Sequence, residues 1–284
     1  MRTKLIFLLI IFSFCAYGEP LKFGIASIVS PEASLNLYTD MNNYLADKLG
    51  EEITPIIKRD YDEMNRMIQE NDVDFASVCT GAVPYLNKDK VRVLAVPEIN
   101  GKHSYKSLII TNKKYGIKTI KDLKGRTFAF TDRLSNSGTL YPTYMIIKDF
   151  GMSPDRVFKK IFYTKSHDKS IYLVNKGVVQ AAAVDSLIFE IIKKEHPEEV
   201  QNIAVIHSSP EIISPPFVAS SSLSKEKFTA LKNALLNMDK NERGRRILKG
   251  LNIDRFVPAD ISDFTPIIKM KAAVEKHNSE NNTK

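Results

Sequence analysis

Short apolar runs alternate along the chain with longer stretches in which apolar residues return every three or four positions. "LKFGIAS" (21–27), "ITPIIKRD" (53–60), "VDFASV" (73–78), "VRVLAVPEI" (91–99), "YKSLIITNK" (105–113), "RTFAFT" (126–131), "VQAAAVDS" (179–186) and "NIAVIHSSP" (202–210) read as strands. "EASLNLYTDMNNYLADKLG" (32–50) reads as a helix. Leu37, Met41, Tyr44, Leu45 and Leu49 make its apolar stripe and Gly50 stops it. "YDEMNRMIQEN" (61–71), "TYMIIKDFG" (143–151), the segment through "IYLVNKG" (171–177) and "SLIFEIIKK" (186–194) are further helices. Two more helices and a polar tail, "KHNSENNTK", finish the chain. Strand-helix alternation with few tight hairpins predicts an α/β fold with mainly parallel sheets.

Ligands of open α/β folds sit at the carboxyl ends of strands. Three polar loops lie at such ends: "SVCTGAVPY" (77–85), "DRLSNSGT" (132–139) and "VDS" (184–186). "SNSGTLYP" (135–142) joins a strand to a helix, and it packs Ser135, Asn136, Ser137 and Gly138 ahead of Pro142. Serine and asparagine cap helices, and proline is tolerated in a first turn. The same residues, with unpaired N–H groups and a helix dipole behind them, suit an oxyanion. Both readings stand on the residues alone. Asp185 either caps "SLIFEIIKK" or accepts a proton from a P–OH group, which would favour an oxyanion that keeps one over sulfate. His167 is a loop histidine or a ligand donor. Tyr105 packs between strands or reaches the cleft, and Tyr85 reads as core.

The first residues set the compartment. Arg2 and Lys4 precede the apolar run "LIFLLIIFSF", then "CAYGEP". This is the layout of a secretory signal with cleavage after Gly18, residues 1–18 being the leader. Cys15 raises lipoprotein processing, but Phe14 before it is not the small residue that processing requires. Cleavage leaves 266 of the 284 residues and one cysteine, Cys79, so no internal disulfide is possible. Cys79 reads as a small buried hydrophobe; as a thiolate it would be a single soft-ligand residue, too few for a soft-metal site. The formal charge of +8 is spread as mixed Lys and Glu. The densest basic stretch, "KNERGRR", lacks interleaved aromatics, so nucleic acid is not expected. No Cys/His cluster has metal-ligand spacing and no phosphate-binding glycine loop is present, so no cofactor or metal is expected. Ser137, His167 and Asp185 are the residue types of a hydrolase triad, without the Gly-x-Ser-x-Gly elbow.

Taken together, "SNSGTLYP", "SHDKSIYLVNKGVVQAAAVDS", "VDFASVCTGAVPY" and "YKSLII" make the chain resemble, from about Leu21 to about Phe264, the phosphate/phosphonate/phosphite substrate-binding proteins of ABC transporters. The resemblance implies a two-lobed periplasmic binding protein: lobe 1 from 19–105 and 208–284, lobe 2 from 106–207, with a two-strand hinge near Tyr105 and His207. It implies an oxyanion held by Ser135, Asn136, Ser137 and the N–H groups of Gly138 and Thr139, with Tyr105 and His167 reaching it and Thr80 and Asp185 beside it. Asn136 stands where a threonine is often found. Ser214-Pro215-Pro216 lacks the acid that aminoalkylphosphonate binders carry, which argues against an ammonium-bearing ligand. The implied partners are a small oxyanion and an inner-membrane permease, with the chain a monomer. The alternative is a sensor of arsenite or phosphate that signals to a membrane histidine kinase; a serine hydrolase is the least favoured reading. Mass spectrometry of the secreted chain should find Glu19 at its start, whereas a diacylglyceryl group on Cys15 would establish the lipoprotein route.

Overall fold

The computed structural model describes residues 19–26 and 31–282; the expected leader and Cys15 lie outside them. In chain order the elements are β1 (Leu21–Ala26), α1 (Pro31–Leu49), β2 (Ile53–Lys58), α2 (Tyr61–Gln69), β3 (Phe75–Ser77), β4 (Val91–Glu98), β5 (Ser104–Tyr105), β6 (Ser107–Asn112), β7 (Thr127–Phe130), α3 (Tyr141–Phe150), α4 (Pro154–Val157) and β8 (Lys160–Tyr163). There follow α5 (His167–Asn175), β9 (Ala181–Asp185), α6 (Ser186–Glu195), β10 (Ile203–Ser208), β11 (Ile212–Ile213), β12 (Phe217–Ser220), α7 (Lys225–Leu236), α8 (Glu242–Gly250), β13 (Arg255–Val257) and α9 (Thr265–Asn282).

The strands form two large sheets. One has six strands in the order β13-β4-β12-β3-β1-β2; the other has five, β10-β6-β9-β7-β8. A third, two-stranded sheet pairs β5 with β11, Tyr105 opposite Ile212. These two short strands are where the chain passes from one half to the other and back. The second passage is therefore at Ile212–Ile213, past His207. His207 stays in β10, opposite Ile109 of β6, with its Nε2 2.8 Å from the Tyr141 hydroxyl.

The sheets are mixed rather than mainly parallel. β1 runs parallel to β2 and β3, and β7 to β8 and β9, as βαβ units require. β12 is antiparallel to β3 and β4, β13 to β4, and β6 to β9 and β10. β6 and β12 each follow a passage between halves rather than a helix on the same sheet, so no crossover helix constrains them to the parallel direction.

Both faces of the central strands are covered, which explains their continuous apolar runs. In β9, Ala182 and Val184 join a cluster with Ile171, Val174 and Phe189, whereas Ala181 and Ala183 face Phe128, Met145 and Ile146. The six-stranded half buries Phe23 and Phe75 as a stacked pair, ring centroids 4.6 Å apart.

The expected polar tail is a helix instead. α9 runs to Asn282, carried by the i,i+4 pairs Lys271–Glu275 and Lys276–Glu280. Ile267 and Val274 pack it against Tyr105, Leu140 and Ile212, directly over the passage strands. Lys271 lies 4.4 Å above the Tyr85 ring, and Tyr85 is 43% exposed rather than core. Among the described residues no helix is long and apolar enough to cross a membrane.

Candidate functional site

Helix starts converge between the two halves. Tyr61 opens α2 and Thr80 opens the 3-10 turn Thr80–Tyr85. Asn136 opens a single π turn, Asn136–Leu140, that leads into α3. His167 opens α5, and Asp185 caps α6. All five are buried. Each start carries partial positive charge without a formal cation.

The anion-type loop is built from its own hydrogen bonds. The Asp132 carbonyl accepts from Ser135 N (3.0 Å) and from Thr139 Oγ1 (2.7 Å), and Asp132 Oδ1 accepts from Leu134 N (2.8 Å). Ser135 Oγ accepts from Gly138 N at 3.0 Å, an N-cap bond. Thr139 N and Leu140 N both donate to the Ser135 carbonyl, at 3.1 and 2.9 Å. The N–H groups of Gly138 and Thr139, expected to face an anion, are thus spent inside the loop, because the π turn folds them back onto Ser135. Gly138 is required for packing: a Cβ there would run into the Thr131 hydroxyl.

Ser137, His167 and Asp185 are brought together, but not as a hydrolase triad. His167 Nδ1 accepts from the Asp185 backbone N–H at 3.0 Å. A triad histidine donates from Nδ1 to a carboxylate; here that nitrogen is an acceptor, so the proton sits on Nε2. Burial holds the His167 pKa down to about 3, leaving the ring neutral with Nε2–H as a donor. Asp185 does cap its helix, Oδ1 accepting from Leu187 N (2.7 Å) and Ile188 N (3.4 Å). Burial nevertheless pushes its pKa up to about 7, against those bonds and one with the Ser137 side chain. It is a carboxyl poised to hold or release a proton near neutrality.

The opposite wall supplies Thr80 and Cys79. Thr80 Oγ1 donates to the Ile213 carbonyl at 3.0 Å, so its interaction with Tyr105 uses the tyrosine proton. Tyr105 then accepts from Asn136 Nδ2 at 3.3 Å. This relay runs from one half to the other through the passage strand, and it leaves Asn136 Oδ1 buried without a partner. Tyr105 thus both packs and takes part in the polar network. Cys79 is buried, and its sulfur receives the backbone N–H groups of Asn136 and Gly81. Burial raises its pKa to about 11, so it is a thiol, not a soft thiolate ligand.

Tyr61 and Lys165 escaped the sequence reading. Tyr61, 1% exposed, is electrostatically coupled to Cys79, Asp132, Asp185 and Tyr105, which places it among them. The sign available was an acid cap, Asp60, at the carboxyl end of a strand. Ser214 is fully buried with its hydroxyl unpartnered. Arg133, the one cation in the predicted loops, is exposed and stacks 4.5 Å over the Tyr163 ring, away from the convergence. Lys165 is paired to Asp60 and Asp132. Among the described residues, no group of His, Cys, Asp and Glu is arranged to hold a metal.

A family model described as ABC transporter, phosphonate, periplasmic substrate-binding protein matches residues 23–264. A probable ABC transporter phosphite-binding protein of Prochlorococcus marinus is 30% identical over 183 residues, 61% of this chain and 62% of its own length. The chain thus spans less than two thirds of that relative. The phosphonates-binding periplasmic protein of Escherichia coli is 26% identical over 258 residues, 88% of this chain and 75% of its own. The solved structure of PhnD1 from Prochlorococcus marinus in complex with methylphosphonate superposes with a TM-score of 0.81 at 24% identity, covering 90% of this chain and 98% of that one. The likeness establishes the two-lobed fold.

The halves meet closely at Gly81, where an added Cβ would collide with Asn136 N and the Leu134 carbonyl. Backbone cannot yield as a side chain end can. Gly81→Ala should therefore hold the lobes apart, at a cost of about 1–3 kcal/mol to the closed form. Small-angle scattering should give the variant the larger radius of gyration; equal radii would show that this contact does not limit closure.

Proposed function

The chain belongs to the periplasmic phosphonate-binding family of ABC transporters, and on that premise we propose that it is an exported solute-binding protein for a phosphorus oxyanion. It takes phosphate, phosphite or a small phosphonate into the cleft between its lobes and delivers it, as a monomer, to an inner-membrane permease. The lobes are residues 19–105 with 208–284, and 106–207. That division is supported by the six-stranded sheet drawing its strands from 21–98 and 217–257 and the five-stranded sheet from 107–208.

One observation carries the reading: five helix starts converge in a buried site with no free cation beside them. Such a site binds through aimed dipoles. The hydroxyls of Ser135 and Ser137, the amide of Asn136 and the Nε2–H of His167 are the proposed contacts; Tyr105 and Thr80 would join them only by giving up the protons they hold on Thr80 and on the Ile213 carbonyl. Cys79 is packing. Ser214 offers a neutral hydroxyl where an ammonium would want an acid, so aminoethylphosphonate should bind less well than methylphosphonate or phosphite. A thermal-shift panel of these ligands with phosphate, sulfate and arsenite identifies the ligand, because a ligand of the folded form raises the melting temperature.

Neutral donors make a sharp forecast about residues. Ser137→Ala removes a bond to a charged group, worth about 1.5–3 kcal/mol, so affinity for the best ligand should fall about tenfold or more. Arg133→Ala should change it little. Calorimetry that found the reverse ranking would refute the neutral-donor site.

Asp185 adds a proton to the account. Burial holds its pKa at about 7, and an anion beside it would raise that further. Below neutrality the carboxyl already holds its proton. Above neutrality a fully ionised ligand meets an ionised carboxylate, so binding must take up one proton shared between them. Affinity should fall by up to about tenfold per pH unit above 7. His167, neutral throughout, contributes no slope. Calorimetry at pH 8.5 in buffers of different ionisation enthalpy should register about one proton taken up per ligand; none taken up would show that carboxyl and ligand share no proton.

A further inference from the structure

Lys165 is paired with two carboxylates, one from each half. Its Nζ lies 3.0 Å from Asp60 Oδ2 and 3.2 Å from Asp132 Oδ2. Asp60 follows β2 in the six-stranded half; Asp132 and Lys165 follow β7 and β8 in the five-stranded half. The ammonium therefore spans the cleft. Each carboxylate also builds its own wall with the other oxygen. Asp60 Oδ1 accepts from Asp62 N (3.0 Å) and Glu63 N (3.3 Å), starting α2 and setting Tyr61. Asp132 Oδ1 accepts from Leu134 N and so shapes the turn that presents Ser135 to Ser137.

The backbone at Lys165 argues that its side chain is what the position demands. Among the described residues four non-glycines have positive φ: Asn71, Asn100, Asn252 and Lys165, the last at 66°. Asparagine tolerates the left-handed region and glycine occupies it freely, whereas lysine does so at a cost. Its flanks are pinned. Thr164 N donates to the Phe130 carbonyl at 3.0 Å, and two residues on, His167 Nδ1 takes the Asp185 N–H. An unfavourable conformation is kept at a position from which a long cationic side chain reaches both walls.

We propose that Lys165 is a positioning residue: a cross-cleft latch that ties the start of α2 to the anion loop when the lobes meet and slows release of the bound oxyanion. Opening would strip Asp60 from the ammonium and leave Asp132, 2% exposed, as its remaining partner. The cross-cleft pair itself is nearly half exposed, 42% and 47%, so its effect is a tuning of the closed state rather than its foundation.

Asp60→Asn keeps a good helix cap while removing the charge, so α2 still starts. Lys165→Gln removes the ammonium and keeps the stem. Two readouts separate the latch from the ligand reading on which its second half rests. The first needs no ligand: spin labels on Asn43→Cys of α1 and Lys194→Cys of α6, both exposed positions, report the lobe separation by pulsed dipolar spectroscopy. Either charge-removing variant should shift the distribution toward separated lobes. The second is methylphosphonate dissociation by stopped flow, which each variant should speed by about two- to fivefold, with the double variant no faster than Lys165→Gln alone. Unchanged distances in both variants, or losses that simply add in the double variant, overturn the latch. If wild type binds none of the phosphorus oxyanions, the ligand reading fails and the distance measurement still decides the latch.

Discussion

An anion that leaves water gives up a donor at every oxygen lone pair, and a buried site must replace those donors at once. A guanidinium or ammonium could do it, but it would accept nearly any oxyanion and would need its own counter-charge when the site is empty. In the proposed site the donors would be dipoles. Helix starts from both lobes end at the same place, held there by the fold. Everything around the site serves that arrangement: the alanines of β9 that let loop and helix approach the sheet, the glycine at 138 under the Thr131 hydroxyl, and the glycine at 81 where the walls touch.

On the proposed reading, such a site would separate ligands by proton count more than by charge. Asp185 is an acceptor when ionised and a donor when protonated, and burial places its pKa near 7. His167 cannot compensate, because its Nδ1 is committed to a backbone N–H and its ring stays neutral. The Ser137, His167 and Asp185 grouping that resembles a hydrolase on paper therefore has the wrong proton on the wrong nitrogen for attack. It has the right one for holding an oxygen.

The two halves are coupled through a thin set of polar links across an otherwise apolar passage. Asn136, Tyr105, Thr80 and the Ile213 carbonyl form one directional relay, and Cys79 receives the Asn136 N–H from across the cleft. Asp60, Lys165 and Asp132 form another. α9 covers the passage strands from outside, beyond the part of the chain that the family match spans. Lobe movement must break or repack these links, so on the proposed reading ligand capture would be coupled to closure.

Hydrophobic periodicity by itself determined the order of strands and helices, because each element's burial pattern is written locally in period 2 or period 3.6. It also marked the loops at strand ends, and the capping residues within them gave the candidates Ser135, Asn136, Ser137 and Asp185, whereas His167 joined them only through the family resemblance. What it left open were the questions answered by residues far apart in the chain. Whether β6 and β12 run parallel or antiparallel depends on which lobe they enter from, not on their own residues. Tyr61, Asp132 and Lys165 look like ordinary helix and loop positions until β2, β7 and β8 bring them to one cleft. The tail looked too polar to fold, yet α9 needs only Ile267 and Val274 to find the hinge. The titration of Asp185 and Cys79 is likewise a matter of burial, and burial is a property of the assembled fold.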